Sequence, residues 1–370
     1  MNFNMFMPAN VFGGENALSR AAEKICSLGK KALIITGKSA AKKSGALDDV
    51  TSMLTDNGVS FVIFDGVSEN PLVSVCDEAG KTAGNEGCDF IIAIGGGSAM
   101  DAGKAASVFA ANDINGNDIY DYSKWTNGAL PLVAVGTTSG TGSEVTATAV
   151  LTRTDPFMKK SVTNPLCYPK ISVCDSKYTY SMPMNVTVST ALDALSHATE
   201  GWFNPSCGDF ESACARVALP MIWKGLSALN KTESGDEISD KTRDRLYYGS
   251  LWAGLVLNGC GTAFPHPLGY VLSEEFGVPH GMACAVYLPE LVRRGMEQSP
   301  DRANEYFDLL GCKWAQFNLV VTTLTDVSVQ LTEEQLQRYA KRWHGLKNFR
   351  NTPGGYNEQL AVALLRRLFM

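Results

Sequence analysis

The sequence predicts an α/β N-terminal domain with a Rossmann-like parallel sheet, followed by an all-α C-terminal domain. The boundary falls near residue 180, giving domains of 1–180 and 181–370. Three observations carry this prediction. Short apolar, β-branched runs alternate with helical stretches through the first half, which implies a parallel sheet covered on both faces. Two of those runs end in glycine-rich turns. After Ser181-Met182-Pro183 strand-like runs become scarce and long amphipathic stretches take over.

Taken in order, residues 31–36 form a buried strand that stops at Gly37, and a helical stretch then runs through Met53-Leu54. A second strand at 59–64 ends at Asp65-Gly66, and a helix covers 73–84. The strand 90–94 runs into Gly95-Gly96-Gly97-Ser98. A helix opens behind it with Asp101 in its first turns, where an acid suits the helix dipole. The strand 132–135 leads into GTTSGTGSE from Gly136. The second domain reads as helices at 186–202, 210–229, 242–257, 332–345 and 357–368, and the charged cluster 233–245 as a solvated connection.

Composition narrows the function classes. With 45% hydrophobic and 19% charged residues, the chain has the make-up of an ordinary soluble globular protein. A net charge of −6 argues against nucleic acid or an anionic membrane as main partner, since both require a basic face. The N-terminus lacks a charged region followed by an apolar one, and no run approaches the roughly 20 apolar residues of a membrane span. Ten scattered cysteines without a CxxC pair suit reduced, buried thiols and a cytoplasmic location. Only Cys284, four residues after His280, stands apart.

The two glycine-rich turns suggest a nucleotide. GGGS between a strand and a helix offers closely approachable backbone N–H groups at a helix N-terminus, a ready anion site, although the usual GxGxxG is absent. GTTSGTGSE adds hydroxyls at the end of another strand, and open α/β sheets bind ligands at that edge. An acid at the end of the first strand would bond the ribose 2′-OH of NAD and repel a 2′-phosphate. Here stand Gly37, Lys38, Ser39, Lys42 and Lys43, a small, hydroxylated and basic group that predicts NADP(H) over NAD(H). The same lysines also suit a solvated helix start.

The metal signal lies in TALDALSHATEGW. Asp193 and His197, four apart on a helix, project from one face. Of the chain's four histidines, His266 and His280 fall together in GTAFPHPLGYVLSEEFGVPHG. One carboxylate and three imidazoles form a donor set for a divalent transition metal. The alternative is local capping by Asp193 and backbone bonding by the histidines. His344 reads as an ordinary residue of a C-terminal helix, and Phe157, Trp202, Phe264 and Tyr270 as the lining of an aromatic pocket.

These motifs together resemble those of the iron-containing (group III) alcohol dehydrogenases over nearly the whole chain. The residues that carry the resemblance are Glu69-Asn70-Pro71, GGGSAMDAGK from Gly95, GTTSGTGSEVT from Gly136, DALSHATEG from Asp193, and Pro279-His280-Gly281. Glycerol dehydrogenase and dehydroquinate synthase are more distant relatives of similar, dehydroquinate synthase-like architecture. The resemblance implies metal ligation by Asp193, His197, His266 and His280. It implies cofactor contacts at Asn70, Gly96, Gly97, Ser98, Thr137, Thr138, Thr141, Thr148 and Lys160, beside Gly37 and Ser39. Many family members carry a second histidine four residues after the first of this segment, discussed as part of proton transfer. That position is Tyr270 here, a departure from the pattern.

The activity so implied is reversible hydride transfer between a nicotinamide and a small primary alcohol or aldehyde. Fe²⁺ is the usual metal, with Zn²⁺ or another divalent ion as substitutes, in a homodimer whose active site lies in the cleft between the domains. Two other classes compete: a lyase like dehydroquinate synthase, and a non-enzymatic protein that binds metal or nucleotide.

Overall fold

Strand formation in the first half follows from β-branched and apolar runs that bury both faces. The structure is a computed structural model that describes residues 3, 5–232 and 238–370, so residues 233–237 of the charged cluster lie outside the described residues. The chain divides into two compact units, one spanning Phe6–Pro183 and the other formed mainly by Met184–Met370.

In the first unit the strands are β1 (Asn10–Gly13), β2 (Lys31–Gly37), β3 (Ser60–Val67), β4 (Phe90–Gly95), β5 (Leu132–Gly136), β6 (Thr148–Thr154), β7 (Phe157–Thr163) and β8 (Ile171–Cys174). Its helices are α1 (Ala17–Cys26), α2 (Ala40–Lys43), α3 (Ala46–Asp56), α4 (Val73–Asn85) and α5 (Gly97–Ala111). Six strands pair in parallel in the order β1-β8-β5-β4-β2-β3, and β6 and β7 form a separate antiparallel hairpin. Successive residues of a strand face opposite sides. Leu33, Ile35, Ile91 and Ala93 therefore enter one apolar cluster while Ala32, Ile34, Ile92 and Ile94 enter another. This is the doubly covered parallel sheet that the sequence predicts.

Register then places the glycine-rich turns. Gly95 at the end of β4 pairs with Gly136 at the end of β5, so the two turns leave the sheet side by side. They touch so closely that glycine is required. A Cβ on Gly96 would lie 2.7 Å from Thr138 Oγ1, and one on Gly97 would lie 2.6 Å from Thr141 Cγ2.

Asp101 departs from its predicted role. It sits past the first turn of α5 and is half-buried; its carboxylate accepts from the Val150 N–H (2.9 Å) and the Ser143 hydroxyl (3.1 Å). One turn on, Lys104 is fully buried and donates to Ser143 Oγ (2.6 Å), Thr146 Oγ1 (3.1 Å) and the Thr148 carbonyl (2.9 Å). Burial raises the Asp101 carboxyl and lowers the Lys104 ammonium, and each charge counters the other's shift. The two side chains tie the second turn and the hairpin onto α5.

The second unit is helical: α6 (Met184–Phe203), α7 (Asp209–Leu229), α8 (Asp240–Cys260), α9 (Pro265–Phe276), α10 (His280–Ala285), α11 (Leu288–Gln298), α12 (Pro300–Leu310), α13 (Trp314–Thr325), α14 (Glu333–Trp343), α15 (Lys347–Arg350) and α16 (Glu358–Phe369). Helix α6 runs through the middle, every residue from Ala191 to Phe203 being buried. Trp202 and Phe264 are core residues, not the lining of a pocket. The Trp202 indole N–H donates to the Arg302 carbonyl, and Phe264 stacks on Tyr356. Phe157 is exposed at the tip of the hairpin. Among the described residues no helix is long and apolar enough to cross a membrane.

Removing one partner of a buried, hydrogen-bonded charge pair costs about 3–5 kcal/mol. Lys104→Met keeps the apolar stem and strands Asp101. It is expected to destabilise the first unit by an amount in that range, read as a lower urea midpoint in a denaturation curve.

Candidate metal centre

A helix buried on all sides is ordinarily apolar throughout. Helix α6 instead carries Asp193, His197 and Glu200, each at most 5% exposed, on the face that i, i+4 and i+7 share. Glu200 was not singled out from the sequence, although its place in that spacing was the available signal. Helix α9 starts with Pro265 in its first turn, where proline is tolerated, and brings in His266. Helix α10 begins at His280 directly after Pro279.

The four ligand candidates converge. His266 Nε2 lies 3.0 Å from His197 Nε2 and 3.6 Å from Asp193 Oδ1. Asp193 Oδ1 is 3.7 Å from His197 Nε2 and 3.8 Å from His280 Nε2. An ion about 2.0–2.2 Å from each nitrogen and oxygen donor spaces them roughly 3.0–3.6 Å apart. Asp193 Oδ1 is buried and accepts no hydrogen bond. Two imidazole nitrogens 3.0 Å apart also repel unless a proton or a cation stands between them. The residues fit a divalent metal.

The electrostatics agree. Burial pushes the Asp193 carboxyl up, but the surrounding histidines outweigh it and hold the group well below the usual carboxylate range. Burial lowers His266, yet Glu200 and Asp193 together push it up to about 10. A site that draws a proton onto a buried imidazole so strongly is a site built for positive charge. His266 Nδ1 is 2.6 Å from Glu200 Oε1, and Glu200 Oε2 accepts from the Ala263 N–H at 2.7 Å. A proton held between Nδ1 and Glu200 leaves the Nε2 lone pair to face a metal, the arrangement usual for metal-bound histidine.

Cys284 lies in the same place. Its Sγ is 3.7 Å from His280 Nδ1 and 3.8 Å from Nε2, and it joins Asp193, His266 and His280 in one group of potential donors. Tyr270, one turn after His266, stacks on His280 with ring centroids 5.6 Å apart. Burial raises its phenol well above the ordinary value, and Cys284, Asp193 and Glu200 push in the same direction. His344 is elsewhere, with Nδ1 3.1 Å from Glu358 at the end of α14.

Close approach of α10 depends on one glycine. A Cβ on Gly281 would stand 1.7 Å from the Ser189 carbonyl oxygen of α6, so any side chain there would drive His280 away from Asp193.

In the first unit, Gly96, Gly97, Ser98, Thr137, Thr138 and Thr141 gather at the carboxyl ends of β4 and β5. Asn70 joins them. Its backbone is left-handed (φ 54°), and its N–H donates to Ser98 Oγ at 3.3 Å. Gly37 ends β2 in the same sheet, and Ser39 follows it, exposed. Thr148 and Lys160 belong to the hairpin. The Thr148 hydroxyl meets that of Thr163 at 3.0 Å, and the Lys160 ammonium stands 4.4 Å over the Tyr120 ring.

Two substitutions test this geometry. Gly281→Ala is expected to lose most of the metal on dialysis while keeping its helical circular dichroism. Glu200→Gln removes the charge that fixes His266 and is expected to weaken metal binding by about 10–100-fold, read by chelator competition.

Comparison with known proteins identifies the family. The family described as iron-containing alcohol dehydrogenase matches residues 8–176, and the C-terminal part of the Fe-containing alcohol dehydrogenase family matches residues 187–343. A 1,3-propanediol dehydrogenase of Citrobacter freundii is 33% identical over 320 residues, covering 84% of this chain and 81% of that protein. An NAD-dependent methanol dehydrogenase of Bacillus methanolicus is 27% identical over 356 residues, covering 96% and 89%. The crystal structure of an iron-containing alcohol dehydrogenase from Thermotoga maritima superposes with a TM-score of 0.89 at 33% identity, covering 99% of each chain. The chain belongs to the iron-containing alcohol dehydrogenase family of oxidoreductases.

Proposed function

We propose that the protein is a metal-dependent, NADP(H)-preferring alcohol dehydrogenase or aldehyde reductase acting reversibly on a small primary alcohol or aldehyde. The observation that supports it most is the convergence of Asp193, His197, His266 and His280 around a carboxylate oxygen that no protein group satisfies. When bound, Fe²⁺ or a similar divalent ion supplies a Lewis acid for the substrate oxygen, and the nicotinamide exchanges the hydride.

This chain's residues supply the rest. Asp193 and the three imidazoles hold the ion, and Glu200 fixes the His266 tautomer. The N-terminus of α5 and the hydroxyls of the second turn receive a pyrophosphate, with Asn70 and Ser98 at the rim. Tyr270 keeps its proton, so it passes hydrogen bonds toward solvent without ionising. Gly37 leaves room where an acid would repel a 2′-phosphate, and the exposed Lys38, Lys42 and Lys43 favour that phosphate. A relative named as NAD-dependent shows that family membership alone does not fix this choice.

The test is anaerobic purification with metal analysis, followed by a panel of short aldehydes with NADPH and with NADH. One stoichiometric divalent metal and a higher kcat/KM with NADPH are expected. Binding of metal and cofactor with no oxidation of either nucleotide by any aldehyde would overturn the reading. Asp193→Ala is expected to lose both metal and turnover with its circular dichroism unchanged. Gly37→Asp places a charge against the 2′-phosphate and is expected to raise the NADH-to-NADPH ratio of kcat/KM roughly tenfold or more. A Cβ there lies 3.1 Å from the Val67 carbonyl, a tight contact that lowers the melting temperature slightly.

A further inference from the structure

A second cluster of reactive side chains lies in the helical unit, outside the donor set above. Cys207 is in the short connection after α6, and Cys260 is the last residue of α8. Their sulfurs are 3.0 Å apart, 53 positions apart in sequence, and both residues are only partly buried. The Glu211 carboxylate completes the group. We propose that Cys207 and Cys260 form an oxidisable dithiol that closes to a disulfide by exchange with a low-molecular-weight disulfide.

Three observations select this chemistry. The first is distance. Two thiolates on a tetrahedral zinc, each about 2.3 Å from the ion, stand roughly 3.8 Å apart. The observed 3.0 Å is too short for that and needs only about 1 Å of side-chain movement to reach a disulfide bond of about 2.05 Å. The second is the fixed backbone on both sides. The Cys207 N–H donates to the Asn204 carbonyl at 3.0 Å, and the Asn204 side chain donates to the Cys260 carbonyl at 3.0 Å. The two cysteines are thus already held by one asparagine.

The third is an asymmetry between the thiols. Cys260 Sγ donates to Cys207 Sγ, and this bond, with Ser212 and Arg302 near, outweighs burial and lowers the Cys207 thiol. Cys260 is shifted the other way by the same bond. Cys207 Sγ also has the Ser212 hydroxyl 3.8 Å away as a second partner, so in this proposal Cys207 is the attacking sulfur and Cys260 the resolving one. The Cys207 thiolate attacks one sulfur of RSSR, forming a mixed disulfide and releasing RS⁻. The Cys260 thiol loses its proton and attacks Cys207 Sγ, releasing the second RS⁻. Two protein thiols and one RSSR give one protein disulfide and two RSH, so electrons and protons balance.

The bond would staple the end of α6, the helix of Asp193 and His197, to the end of α8, which leads through Ala263 to His266. The Glu200–Ala263 hydrogen bond already bridges those same segments.

The experiment incubates the full chain with oxidised glutathione, then counts thiols and maps peptides. The expected result is a loss of two of the ten thiols, a peptide cross-linked through Cys207 and Cys260, and a melting temperature several degrees higher. Cys260→Ser is expected to retain a glutathione adduct on Cys207, and Cys207→Ser to form no adduct on Cys260 at the same exposure. Both variants, when reduced, are expected to melt with the wild type. Reaction first at other cysteines, or an adduct on Cys260 in Cys207→Ser as fast as that on Cys207 in Cys260→Ser, would overturn the proposal. Zinc held by this pair and lost in both variants would also overturn it.

Discussion

The helical unit is organised around two buried carboxylates on α6, one oxygen of which accepts no hydrogen bond from the protein. Asp193 Oδ1 is buried without a hydrogen bond, and Glu200, fully buried about two turns along α6, carries a second carboxyl. Burying carboxylates costs several kcal/mol each unless opposite charge is supplied. The groups paired with them are three imidazoles, which are neutral or proton carriers according to what stands between them. A cation at their common focus removes the cost, and the shift of His266 toward the protonated form shows the field that the cation would feel.

Everything that brings the donors to one point depends on atoms that are absent. Helix α10 reaches Asp193 because Gly281 has no Cβ to strike the Ser189 carbonyl, and α9 lies on α10 because a Cβ on Gly269 would meet Cys284 Sγ at 2.8 Å. The first unit uses the same device, where Gly96 and Gly97 let one turn close on Thr138 and Thr141 of the other. Beneath that contact Asp101 and Lys104 lock the second turn and the hairpin to α5 from inside.

Much of this was legible in the sequence, and what was missed has physical reasons. Runs such as 31–36 and 90–94 are apolar on both faces, which only a covered parallel strand explains, and they appear as β2 and β4. The hairpin β6–β7 was not legible. Its second strand is mostly exposed or half-buried, includes Lys159-Lys160, and resembles solvated loop. Helix α9 starts at a proline, α10 follows one, and both contain glycine, so neither stood out as a helix although they bring His266 and His280 together. Asp193 and His197 stood out because few chemistries pair them at that spacing. Glu200 did not, because a lone glutamate on a helix is usually solvated, and only tertiary burial shows that it orients His266. Trp202 and Phe264 misled for the converse reason, since an aromatic near a site in sequence is indistinguishable from one that packs behind it.

Tyr270 sets a limit on the chemistry available beside the imidazoles. A histidine at that position would exchange a proton near neutrality. The phenol that stands there is pushed away from ionisation by burial first, and by Cys284 and the two carboxyls of α6 in addition. Its ring lies parallel to that of His280, 18° between the planes, so it shields one side of that ligand from water while its hydroxyl keeps its hydrogen. A group so placed orders a hydrogen-bonded path but does not store the proton. A cation held by Asp193 and the imidazoles would then supply the acidity that an alcohol substrate needs. The same two buried carboxyls that demand that cation also keep the neighbouring phenol neutral.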